Sequence, residues 1–130
     1  MTDFISSAGN KATIIQKIKE GYLLWLNVCP HIPKSARYAI GARIENKMID
    51  LLELAYDAYF SRKECKLEKV CKCVFILNAL KFLVSIAWEA KIISNRQFED
   101  LSLKLDETGR MLNGWKNSLL APPEKKNRDL

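Results

Sequence analysis

Histidine is almost missing from this chain: His31 is the single one in 130 residues. Multi-histidine metal centres are therefore excluded, and any catalytic imidazole would have to be that one. Glycine and proline number only 5 and 4, too few turn residues for an all-β chain, which favours a helical fold. The four cysteines, Cys29, Cys65, Cys71 and Cys73, contain no repeated Cys-x-x-Cys pair, which argues against a zinc ribbon and a thioredoxin-type site. Cys71 and Cys73, two positions apart, point in different directions on a helix and cannot clasp one ion together. All four are expected to be buried free thiols of a reducing cytosol, with Cys29 and His31 the one pair able to supply half of an intersubunit metal site. Glu-x-x-His pairs, a Gly-rich phosphate loop and a Ser-His-Asp set are all lacking, so neither enzyme activity nor a cofactor is expected. The first ten residues are polar and small rather than a basic start before an apolar run. The most apolar stretch, Val70 to Ala90, is broken by Lys72, Asn78, Lys81, Ser85 and Glu89, short of the roughly 20 clean residues of a membrane span. The expectation is a cytoplasmic protein without a membrane segment.

What is present is helical periodicity. The length suits one domain, taken as residues 1–120, followed by a polar tail at 121–130 whose two prolines and five charges leave nothing to bury. Ile15, Ile18, Tyr22, Trp25 and Cys29 recur at steps of three and four and predict a first helix from about Lys11 to Cys29. Pro30 and Pro33 bracket a short stiff connection, after which Ile40, Ile44, Met48, Leu51, Ala55 and Tyr59 mark a second helix to about Ser61. Arg62, Lys63 and Glu64 read as a polar link. The third helix, about Lys66 to Ile92, is apolar around most of its circumference and keeps one wet stripe: Asn78, Lys81, Ser85 and Glu89. One of its apolar faces fills the core, and the other is expected to meet a second subunit. Ser94 with Gln97 forms a capping box, and Ile93 with Phe98 a hydrophobic staple, at the start of a fourth helix. That helix buries Phe98, Leu101, Leu105, Leu112, Trp115 and Leu119, with Gly109 and Gly114 expected to allow close backbone approach. The fold class is therefore all-α, an antiparallel up-down-up-down four-helix bundle.

The net charge of +6, from 21 basic and 15 acidic residues, is unevenly spread. Lys34, Arg37, Arg43 and Lys47 occupy the first half of the second helix, while Asp50, Glu53 and Asp57 occupy the second half. Arg43 and Lys47, four apart, share a face that could meet phosphates. Lys66, Lys69 and Lys72 form a second cluster, which Lys81 extends. A merely soluble surface is the plain alternative, but copies assembled in a ring would multiply both patches into a polyvalent phosphate contact. Trp25, Trp88 and Trp115 all fall on apolar stripes, so backbone contact rather than base stacking is expected. Glu99 with Asp100 and Asp106 with Glu107 read as solvated surface, since adjacent helix residues do not face each other.

In order along the chain, Trp25, Pro30-His31-Ile32-Pro33-Lys34, Arg37-Tyr38, Gly41 and Arg43-Ile44-Glu45-Asn46 resemble the signature of the accessory variability determinant proteins of diversity-generating retroelements. Leu80-Lys81-Phe82-Leu83, Ala87-Trp88-Glu89, Gly109-Arg110-Met111-Leu112 and Gly114-Trp115-Lys116 extend the resemblance over roughly residues 20 to 117. A broader family of four-helix bundles encoded within ribosomal RNA intervening sequences is similar in size. The resemblance implies a homopentameric barrel that binds a dedicated reverse transcriptase together with template RNA or an RNA/DNA hybrid. It would support mutagenic cDNA synthesis and retrohoming without being the polymerase. Lys34, Arg37 and Arg43 lie in the matching motif and are the first candidates for RNA or polymerase contact, with Lys47, Lys72 and Lys81 second. Tyr38, Gly41 and Trp88 are assigned to packing. For Arg37 and Arg43 the alternative is an ion pair with a carboxylate such as Glu45 or Glu89. Two other functions remain open: a ribosome-associated bundle binding ribosomal RNA, and an oligomeric scaffold that touches no nucleic acid.

Overall fold

The structure is a computed structural model that describes residues 10–121, with side chains from Thr13 onward. Residues 122–130, nearly all of the expected polar tail, lie outside the described residues. Four helices form. Helix α1 spans Asn10–Val28 and ends in a 3-10 turn, Cys29–His31, where Pro30 removes the donor that a continuing helix would need. Helix α2 begins as Lys34–Ala36, passes through a π-helical segment, Arg37–Gly41, and continues as Ala42–Phe60. Helix α3 is Lys63–Glu89 and α4 is Asn95–Leu120. The link between α2 and α3 is shorter than expected, because Lys63 and Glu64 already belong to α3.

Each helix packs antiparallel on two neighbours, in the order α1, α2, α3, α4 and back to α1. All four feed one core: Trp25 from α1, Ile44 and Leu51 from α2, Leu77 and Leu80 from α3, and Leu101 and Leu112 from α4 are fully buried. Burying such a side chain is worth roughly 1.5–3 kcal/mol, so these stripes rather than intrinsic helix propensity hold the chain together. The capping box is formed as expected. Ser94 Oγ accepts from the Gln97 amide at 3.1 Å, and the Ser94 amide donates to Gln97 Oε1 at 2.8 Å. Lys66 performs the equivalent task at the C-terminus of α2, its ammonium donating to the carbonyls of Ala58 and Tyr59.

Two glycines expected to permit close approach behave differently. A Cβ on Gly109 would come within 3.3 Å of Leu77 Cδ2 and 3.4 Å of Lys81 Nζ, so α3 and α4 do approach closely there. A Cβ on Gly114 would meet nothing within 4 Å, so the expected close contact is absent at that position. The expectation that all four thiols are buried also fails. Cys73 alone is buried, Cys29 is half-buried, and Cys65 and Cys71 are exposed. Cys71 lies two positions from Cys73, and the same helical geometry that buries one turns the other outward. Burial pushes the Cys73 thiol up to about 12, which makes it an inert core residue.

By length and composition α3 could cross a membrane. In the bundle its inner face is instead seated against α2 and α4, with Val70, Cys73, Leu77, Leu80, Val84 and Ala87 buried. Its outer face carries Phe75 and Phe82, 73% and 65% exposed, with Ile86 completing the stripe. The second apolar face expected from the sequence is present and uncovered within the monomer.

Candidate functional site

The antiparallel topology brings the α1–α2 and α3–α4 connections to one end of the bundle, and the start of the basic half of α2 with them. Lys34, the first residue of α2, and Arg43, further along, are exposed, and Lys47 is half-buried. None of these three side chains has a hydrogen bond or ion pair among the described residues. They are cations free to meet an external anion.

Arg37 is placed otherwise. Its Nη2 donates to the carbonyl oxygens of Pro30 at 3.2 Å and Ile32 at 3.1 Å, so the guanidinium ties the proline-flanked connection to the first turns of α2. Its Nε is buried without a partner. Neither Glu45 nor Glu89 pairs with Arg37 or Arg43 among the described residues. The π-helical segment starts at Arg37 and closes at Gly41, where a Cβ would stand 3.2 Å from the Ala36 carbonyl oxygen and 3.9 Å from Trp25 Cζ2. Gly41 thus packs as expected. Tyr38, assigned to packing, is instead 72% exposed.

The second basic cluster is largely spent on the fold. Lys66 caps α2, and Lys69 pairs with Asp57 at 2.9 Å across the α2–α3 turn. Lys72 is exposed and pairs with Glu68 on its own helix at 3.4 Å. Lys81 bridges to Asp106 of α4 at 3.1 Å, so the structure sets it into the α3–α4 groove rather than beside Lys34, Arg43 and Lys47. That groove is open, with a cavity of about 520 Å³ lined by Asn78, Lys81, Arg110, Asn113 and Asn117 among others. Asp106 is exposed and Glu107 half-buried, and while they face solvent both also fasten helices, Asp106 through Lys81 and Glu107, within 3.8 Å of both Lys17 and Lys104, through Lys17.

The loop end also holds two basic residues outside the expected set, Lys91 and Arg96. Lys91 follows the last turn of α3 with φ of 63°, a left-handed conformation that favours glycine. Arg96 is exposed in the first turn of α4. Trp88, expected as a packing residue of the core or an interface, stacks on Phe98 yet is 37% exposed, unlike Trp25 and Trp115. It lies at the very end of α3, where the bundle no longer surrounds it. Among the described residues no group of three His, Cys, Asp or Glu side chains is placed to hold a metal ion.

A family model described as bAvd-like matches residues 12–119, and the chain belongs to that family, the bacterial accessory variability determinant proteins of diversity-generating retroelements. No curated protein and no solved structure matches the chain.

Proposed function

We propose that this bAvd-like chain is the non-catalytic accessory protein of a diversity-generating retroelement, acting in the cytoplasm. In this reading it assembles as a homo-oligomer, a pentamer, and binds the element's reverse transcriptase with template RNA or an RNA/DNA hybrid, supporting mutagenic cDNA synthesis and retrohoming. The family match over residues 12–119 carries the reading. The uncovered Phe75–Phe82–Ile86 stripe supports assembly, since an apolar face of this kind is normally covered by a partner. Lys34, Arg43 and Lys47 support binding, because they are the basic candidates whose charge nothing in the bundle uses. Arg37, Lys72 and Lys81 take a secondary part: their charges persist, but each is already engaged with the protein.

The test is light scattering of the purified protein together with anisotropy titrations of a structured template RNA at low and moderate salt. An oligomer that binds more weakly as salt rises, and whose affinity and salt slope both fall with Arg43→Glu and Lys47→Glu combined, is the expected result. A reverse transcriptase from the same element should then co-purify with it. A monomer that binds neither RNA nor polymerase overturns the proposal, and an oligomer that captures the polymerase without RNA reduces it to a scaffold.

A further inference from the structure

Trp88 is held in an unusual way for the third tryptophan of a small bundle. Its ring lies parallel to Phe98, with centroids 4.4 Å apart and an interplanar angle of 7°. Its indole N–H donates to Asn95 Oδ1 at 2.7 Å. One face and the polar edge are therefore occupied by α4, while over a third of the residue stays in solvent. Two cations flank it through bonded neighbours. Lys91 donates its amide to the Trp88 carbonyl at 2.9 Å, and Arg96 follows Asn95 directly. Neither cation is ion-paired among the described residues, and Glu89 is the one acid adjoining the indole in sequence. Lys91 also occupies a backbone position that glycine would fill with less strain.

We propose that Trp88, with Lys91 and Arg96 beside it, is a stacking site for single-stranded nucleic acid at the loop end of the bundle, a base lying on the indole and its flanking phosphates on the two cations. An aromatic face fixed from behind, with positive charge at its sides, is the arrangement that holds unpaired bases without reading their sequence. Duplex fits it poorly, because a paired base is already stacked in its own helix. The inference rests on the nucleic-acid reading above and adds to it a strand state and a site distinct from Lys34, Arg43 and Lys47.

The experiment uses the full chain with a fluorescein-labelled oligouridylate and a duplex RNA of the same length. Trp25 and Trp115 are 0% and 3% exposed, so a change in intrinsic fluorescence reports on Trp88. The single strand is expected to quench that fluorescence in a salt-sensitive way, and the duplex to leave it unchanged. By anisotropy, Trp88→Leu is expected to weaken single-strand binding about tenfold, the scale of one base stack, while Trp88→Phe retains most of it. Lys91→Gly keeps the positive-φ turn, so it is expected to raise the melting temperature while weakening binding several-fold and flattening its salt dependence. Single-strand binding without quenching, or untouched by both Trp88→Leu and Lys91→Gly, overturns this site while leaving the broader function standing. Failure of the wild-type chain to bind any RNA overturns this site together with the nucleic-acid part of the broader function.

Discussion

Along the α1–α4 seam, Lys17, Glu20, Lys104 and Glu107 interlock at 3.4 to 3.8 Å and close the bundle with charges that also face water. Along the outer face of α3, Phe75 and Phe82 stand in solvent with nothing of this chain over them. Both surfaces border the same core, yet one is finished by the monomer and the other is not. Helix α3 departs from the amphipathic pattern of its neighbours because it has two apolar faces and only one core to fill. The difference separates the residues that hold the fold from the apolar residues that the bundle leaves exposed.

Substitutions on opposite sides of α3 test that separation most severely. Leu80→Ala on the inner face removes a fully buried side chain and is expected to cost about 2–5 kcal/mol in urea unfolding. A loss below ~1 kcal/mol would mean that the inner face is not the core. On the outer face, Phe75→Glu and Phe82→Glu together are expected to leave helicity intact and reduce the light-scattering mass to the 14.9 kDa of one chain. A variant that keeps the wild-type assembly would move the interface elsewhere.

The two glycines of α4 sharpen the comparison on a smaller scale. Gly114→Ala adds a methyl group to open space in a helix interior and is expected to stabilise by roughly 0.5–1 kcal/mol, read as a rise of a few degrees in Tm. Gly109→Ala brings its methyl against Leu77 and Lys81, so its gain should be smaller. If Gly114→Ala instead weakens assembly, a partner approaches α4 at that point. The smallest effect belongs to the ion-paired seam. Slight burial alone would raise the Glu20 carboxyl, but the hydrogen bond from Lys104 and the nearby Lys17 charge outweigh it and hold the group below its ordinary 4.5. A lowered folded-state value contributes stability above the unfolded value, and this is lost as pH falls through the folded one. Acid titration of the unfolding free energy should show that loss below 4.5, and Glu20→Gln should remove it. For so exposed a group the amplitude should stay well under ~1 kcal/mol.

Much of the architecture was legible from spacing alone. The helical stripes, the Ser94–Gln97 cap and the doubly apolar third helix follow from patterns of three and four residues, whereas Gly109 and Gly114 look alike in sequence and only the first lies at a close approach. The candidate interface was legible as residue types but not as free charges. Arg37 and Arg43 look alike in sequence, yet one is tied to the carbonyls of Pro30 and Ile32 and the other has no partner among the described residues. Lys81 was grouped with the cations of the third helix, whereas Asp106 draws it into a different groove. Trp88 packs on Phe98 and bonds to Asn95 as a packing residue should, but how much of it stays in solvent depends on how far along α3 the neighbours extend, which helical periodicity does not give.

By itself, then, the amino-acid order determined the helices, their inward faces and the family, because these depend on local spacing and on residues a few positions apart. Only the tertiary structure decided which cations remain unpaired, where α2 widens into a π turn, and which aromatics reach solvent. Those outcomes depend on contacts between residues far apart in the chain, and on where the four-helix bundle ends.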